Sequence, residues 1–128
     1  MRVVAAAVIK DELFLACRRA EHKSLAGFWE FPGGKVEADE SDQQALAREL
    51  KEELGIDVIV GNFICKSSSD VNGTTIEMFT YFCELRSEAP TSSSDHDKLA
   101  WVTRDELAAL EWPPLDIPVV EALLNRQD

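Results

Sequence analysis

The chain has 128 residues, which suits one folding unit spanning 1–128, and 45% hydrophobic against 29% charged residues separates it from disordered chains. Thirteen Lys and Arg stand against 24 Asp and Glu, a formal charge of −11. That balance argues against a binder of nucleic-acid polymers, which needs a basic stripe, but it permits an anionic substrate if carboxylates load divalent cations that reverse the local sign of charge. Cys17, Cys65 and Cys83 are odd in number, widely spaced and set among apolar residues. They read as reduced thiols, not as a disulfide framework or a zinc site.

In chain order, apolar-rich strands are expected over 3–9 and 13–18, joined by a turn at Lys10-Asp11-Glu12. Because the alternation resumes right after that turn, the opening reads as two strands joined by a turn rather than as a cleaved signal, and no apolar run has the length of a membrane span. A soluble cytoplasmic protein is expected. A polar loop over 21–27 leads to a short aromatic strand over 28–31, which stops at Pro32-Gly33-Gly34, where the glycine pair reads as a loop.

Residues 41–54 form the clearest helix. Ser41 and Gln44 make a capping box, Leu46, Leu50 and Leu54 recur every four residues, and Gly55 supplies the stop. A strand over 56–65, a polar loop over 66–73, a long strand over 74–85 and a Ser-rich loop over 88–97 follow. Then come a short strand over 99–102, a brief helix capped by Thr103 and Glu106, a break at Pro113-Pro114 and a last helix over 117–125. This order predicts an α/β fold with a mixed sheet covered by helices on its faces.

On the central helix Glu49, Glu52 and Glu53 fall at i, i+3 and i+4, so they share one face beside the leucine stripe. Three carboxylates so close repel one another, and a hard divalent cation such as Mg²⁺ or Mn²⁺ removes the repulsion with oxygen ligands alone. The competing reading is a solvated acidic face neutralised by Arg48 and Lys51. Ahead of the helix, Gly33-Gly34-Lys35 offers backbone that a phosphate or metal approaches closely.

Taken together, residues 34–56, GKVEADESDQQALARELKEELGI, resemble the signature box of the Nudix hydrolases. Gly34, Glu40, Arg48-Glu49-Leu50, Glu52-Glu53, Gly55 and Ile56 all stand in the family's register over these 23 residues. The resemblance implies an α/β/α sandwich and Mg²⁺-assisted hydrolysis of a diphosphate linked to another group. It also implies Glu49, Glu52 and Glu53 as metal ligands with the Gly33 carbonyl, Arg48 orienting the glutamates, and Glu40 supporting the loop-helix structure. Either Glu49 or Glu53 would take the proton of the attacking water, which bound metal cations make acidic and shield from the polyphosphate charge.

The likeness extends beyond the box. Arg18-Arg19, the phrase 27–35 (GFWEFPGGK) and the ending 112–118 (WPPLDIP) are similar to the MutT subgroup of nucleoside triphosphate pyrophosphohydrolases, nearest to its bacterial CTP pyrophosphohydrolase type. That similarity implies a nucleotide-pool sanitising enzyme, with Arg19 and the Gly33-Gly34-Lys35 backbone near phosphates, Phe31 lining the base pocket and Asp116 reading the base. Asp95, six residues before Trp101, would add an acidic metal ligand or base. Each has a plainer counterpart: Arg19 as a strand-edge charge, Phe31 as core, Asp95 as a polar loop residue, Asp116 as the N-cap of the last helix.

The 8-oxoguanine-specific members carry Asn where this chain has Asp116. An ionised carboxylate only accepts hydrogen bonds, which suits the amino group of cytosine and points to CTP, dCTP or 5-methyl-dCTP. Oxidised guanine remains open, because its N–H groups can be donated to Asp116. The proline of ADP-ribose pyrophosphatases is absent, 69–73 reading SDVNG, and the sole tyrosine, Tyr81, lies outside the position that marks dinucleoside polyphosphate hydrolases. A non-catalytic nucleotide-binding module is the alternative by class; it predicts erosion of the three glutamates, which are all present. A small-molecule partner and a monomer or homodimer are the expected assembly.

Overall fold

The computed structural model describes residues 1–126. In chain order it contains β1 (Arg2–Lys10), β2 (Leu13–Arg19), β3 (Trp29–Glu30), β4 (Gly33–Lys35), α1 (Asp42–Leu54), β5 (Val58–Val71), β6 (Thr74–Leu85), β7 (His96–Val102), α2 (Arg104–Leu107) and α3 (Ile117–Asn125). The sheet is mixed, as the element order predicts: β3-β2-β1-β6-β5 lie side by side, with β4 also paired to β1 and β7 to β2. Among the described residues no helix is long and apolar enough to cross a membrane.

β1 lies at the centre because it is apolar on both sides. Val4, Ala6 and Val8 pack against α1 with Leu46, Leu50 and Leu54, while Ala5 and Ala7 face Leu107, Val119 and Leu123 on the opposite side. A strand buried on both faces suits parallel pairing, and β1 runs parallel to β6 from Arg2↔Glu77 to Ile9↔Glu84. β2 stays with β1 only at Ile9↔Phe14 and Lys10↔Leu13, next to a turn in which Asp11 and Glu12 both take positive φ. It then parts from β1 to pair with β3 and β7. The gap opened on β1 is filled by β4, and this junction frames the site.

α1 begins and ends as its sequence dictates. Ser41 Oγ accepts from Gln44 N–H at 3.1 Å, Gln44 returns the bond to Ser41 N–H at 2.9 Å, and Gly55 closes the helix at φ 69°. Asp42 pins its first turn to the sheet: it receives two bonds of 2.8 Å from Arg2 and one of 2.6 Å from the Tyr81 hydroxyl.

Three sequence expectations need correction. Gly33-Gly34-Lys35 is a strand, not a loop, because a bare glycine admits close approach: a Cβ on Gly33 would overlap the Val4 carbonyl across the pair. The stretch 66–71 is the second half of β5, not a loop; each residue from Lys66 to Val71 pairs with β6, and a two-residue turn at Asn72-Gly73, both at positive φ, closes the hairpin. β7 starts at His96, inside the expected Ser-rich loop.

Leu50 is fully buried between α1 and β1. Leu50→Ala should lower the unfolding free energy by about 3 kcal/mol in urea titrations, with the denaturant slope unchanged.

Candidate active site

The carboxylates of α1 divide into two groups. The first converges on Arg48. Its Nε and Nη2 donate to Glu40 at 2.7 and 2.9 Å, and its Nη1 donates to Glu49 at 3.0 Å and to Glu52 at 3.3 Å. Nη2 also reaches the Lys35 carbonyl at 3.1 Å, tying the helix to β4. Glu40 accepts the Glu37 N–H at 2.9 Å as well, and the Arg48 guanidinium with this N–H holds its carboxyl down at about 2. The expected support of the loop-helix turn by Glu40 therefore has a visible geometry.

Glu53, on the same helical face, belongs to the second group through different partners. Its Oε1 lies 3.3 Å from His96 Nδ1, and His96 Nε2 lies 2.7 Å from Glu30 Oε2. Glu30 in turn accepts two bonds of 3.0 Å from Arg19. Burial raises the Glu53 carboxyl to about 7; His96 opposes the shift, while Glu30, Asp95 and Glu49 add to it. Asp95 pairs with Lys23 at 3.0 Å.

Of these residues Arg19, Glu30, Glu53 and Asp95, with Gly33 and Gly34, line the polar side of a cleft of about 260 Å³, while Glu40, Arg48, Glu49, Glu52 and His96 stand outside its lining. Phe31, Ile76, Met78, Leu115 and Asp116 line the other side. Phe31 is both core and wall, being buried, stacked on Trp112 at 4.6 Å and still facing the cleft. A larger groove of about 580 Å³ along Ile9, Ile59 and Phe82 offers only Glu84 and Arg126 as charged lining and none of the box residues. The polar cleft is thus the candidate site.

Asp116 is buried and accepts the Phe31 N–H at 3.1 Å. It occupies the N-cap position of α3, but its side chain makes no capping bond, so the capping expectation fails while its place in the cleft is found. Burial lifts its carboxyl to about 7, against the pull of the Phe31 N–H. Lys35 is exposed and outside the cleft lining; its contribution here is the carbonyl that Arg48 holds.

The donors fit a hard divalent cation. Glu49, Glu52 and Glu53 offer oxygen alone, and a Cβ on Gly34 would collide with the Glu49 carboxylate, so the glycine keeps the space that carboxylate uses. Among the described residues the trio of potential ligand atoms lying within 4.8 Å of one another is nevertheless Glu30, Glu53 and His96, since Glu49 and Glu52 turn to Arg48. Sequence reasoning missed Glu30 and His96. Their one signal was charge: Glu30 interrupts an aromatic run and His96 stands beside Asp95.

Comparison with known proteins agrees with the box. A family model described as the NUDIX domain matches residues 1–123. CTP pyrophosphohydrolase of Escherichia coli is 39% identical over 97% of this chain and 91% of its own length. The 8-oxo-dGTP diphosphatase of Haemophilus influenzae is 32% identical over 95% and 90%. The solution structure of the E. coli ORF135 protein superposes with a TM-score of 0.82 at 37% identity, covering 96% of this chain and 87% of that one. The MutT protein of Methanosarcina mazei reaches 0.84 at 26% identity, covering 96% and 91%.

A raised carboxyl pKa disfavours the folded state once the group ionises, so Glu53 costs stability as pH climbs from about 4.5 through about 7. Without metal, Glu53→Gln should therefore be more stable than the parent chain at pH 8, by at most about 3 kcal/mol, and the difference should shrink by pH 5. Thermal unfolding in EDTA at the two pH values measures it.

Proposed function

Since the chain belongs to the Nudix hydrolase family, we propose that it is a Mg²⁺-dependent nucleoside triphosphate pyrophosphohydrolase. Residues 1–128 act as one Nudix domain that cleaves NTP or dNTP to the monophosphate and pyrophosphate, with cytosine-type or modified nucleotides (CTP, dCTP, 5-methyl-dCTP) preferred. The observation that carries this reading is the cleft itself. Its acidic side presents Glu53 beside Gly33 and Gly34, and its apolar side presents Phe31 and Asp116.

Glu49, Glu52 and Glu53 would hold the metal, with the Gly33 carbonyl as a further oxygen and Asp95 at the rim. Bound there, Mg²⁺ supplies charge neutralisation of the polyphosphate and acidifies water at neutral pH. Arg48 fixes Glu49 and Glu52 from behind, because its fork spans both together with Glu40. Arg19, carried on β2 and lining the cleft, would face the phosphates. Glu53, at about 7, sits where a carboxyl exchanges a proton readily at neutral pH.

For the base, one Asp116 oxygen is engaged by the Phe31 N–H. When ionised, the other accepts from the cytosine amino group. A second reading, 8-oxo-dGTP, draws support from the same residue: at about 7 part of the population is protonated and donates to a purine carbonyl. Its relatives include proteins named for that substrate.

The test is product release from CTP, dCTP, 5-methyl-dCTP, 8-oxo-dGTP, dGTP and ADP-ribose, with and without Mg²⁺. Monophosphate plus pyrophosphate from a cytosine nucleotide, only with metal, is expected; turnover of none of them would overturn this reading in favour of a binding module or of a Nudix substrate outside nucleotides. Glu52→Gln should lower kcat by about 100-fold or more with the fold intact. Lowering pH from 8 to 6 should move preference from CTP toward 8-oxo-dGTP, since protonation gives Asp116 a donor, and Asp116→Asn should abolish this pH trend. A trend that persists in Asp116→Asn would remove Asp116 from base selection.

A further inference from the structure

The backbone of β7 breaks its alternation at one point. Leu99 and Trp101 pack on the α1 side of the sheet, and Ala100 and Val102 on the other, so regular alternation would send His96 to the side away from α1. Instead Arg18 pairs with Lys98 and Arg19 with His96, leaving Asp97 as an extra residue at a bulge. Asp97 turns out to pair with Arg18 at 2.7 Å, and His96 comes to the α1 side, 3.3 Å from Glu53. Its imidazole has no exposed surface, and Ser93 Oγ holds Nδ1 at 2.9 Å.

A histidine that only filled core would not need this placement. Both ring nitrogens face carboxylates: Nε2 hydrogen-bonds Glu30, which accepts both bonds from Arg19 Nη1, and Nδ1, bonded to Ser93 Oγ, lies at ion-pair distance from Glu53. From this bulge and these contacts we infer that His96 is a positioning residue that holds the metal-side carboxylate of Glu53 with one nitrogen and, through Glu30, the phosphate-side guanidinium of Arg19 with the other. The inference rests on the function proposed above for what Glu53 and Arg19 do, but the linkage itself is a property of this chain. One planar ring sets the spacing between a cation-binding oxygen and an anion-binding nitrogen. Supports of this kind typically alter metal affinity or activity by about 10–100-fold when removed.

Two conservative variants separate the two nitrogens. His96→Gln reaches the Nε2 position and keeps the Glu30 link while releasing Glu53. His96→Asn keeps an amide near Nδ1 and releases Glu30. Mn²⁺ affinity of the nucleotide-free protein by electron paramagnetic resonance, and calorimetric affinity for inorganic tripolyphosphate, read the two ends without turnover. His96→Gln should weaken Mn²⁺ binding about tenfold and lower kcat, leaving tripolyphosphate affinity within about twofold; His96→Asn should do the reverse, raising KM with Mn²⁺ affinity kept. Glu30→Gln, on the short, partly exposed β3, should repeat the His96→Asn pattern, which keeps the inference testable if a buried variant fails to fold. Equal losses at both ends in every variant, or wild-type values throughout, would reduce His96 to packing. If the parent chain hydrolyses no nucleotide, the proposed function fails, while the split between Mn²⁺ and tripolyphosphate binding still decides this inference.

Discussion

Coulomb repulsion among carboxylates is the constraint around which this molecule is arranged. Two unit charges about 4 Å apart near a protein surface repel by about 4 kcal/mol, and here Glu40, Glu49 and Glu52 meet within reach of one side chain. Arg48 resolves that half. A guanidinium spreads its donors in a plane and bonds three carboxylates and a carbonyl at once; an ammonium on a flexible stem would not span them. The other half, around Glu53, is left short of cations. His96 is the nearest nitrogen base, Arg19 is committed to Glu30, and Lys23 to Asp95. Burial, together with the neighbouring carboxylates Glu30, Asp95 and Glu49, raises the Glu53 carboxyl, and a divalent cation would relieve that cost.

Such a deficit stands only because the surroundings are fixed. β1, buried on both faces, holds α1 against one side and α3 against the other, and Glu53 on α1 and the Leu115–Asp116 segment before α3 line one cleft. Arg2 and Tyr81 lock the first turn of α1 through Asp42, and Ser67 in β5 donates to the Leu115 carbonyl at 2.8 Å. The hairpin of β5 and β6 therefore anchors the apolar wall of the cleft, to which it also contributes Ile76 and Met78. Gly33 and Gly34 let β4 slip between β1 and Glu49, where any side chain would collide.

The parts legible in the sequence are those set by local geometry. The i, i+3, i+4 spacing of Glu49, Glu52 and Glu53, the capping boxes at Ser41 and Thr103 and the stop at Gly55 all depend on neighbours within one or two helical turns. What sequence reading missed depends on partners far along the chain. The serines of 67–69 look like a loop until β6 supplies their ladder across the turn at Asn72-Gly73. Gly33-Gly34 looks like a turn until β1 lies beside it. His96 and Glu30 are 66 residues apart, and the bulge at Asp97 inverts the very alternation from which a reader would infer His96's side of the sheet.

Asp116 shows how a local rule is overruled by local accounting. An N-cap side chain is useful when N–H groups of the first helical turn lack partners, usually those of the second and third residues. In α3 the second residue is Pro118, which has no N–H; Val119 N–H already bonds the Asp116 carbonyl at 3.0 Å, and Ile117 N–H bonds the Pro113 carbonyl at 3.2 Å. Nothing is left for the Asp116 carboxyl to cap. With its backbone at φ −90°, ψ −20° the residue continues the helical turn, and the side chain instead meets the Phe31 N–H. The proline pair and Pro118 thus do more than start a helix: by settling its first N–H groups through the backbone, they release a buried carboxyl to face the cleft.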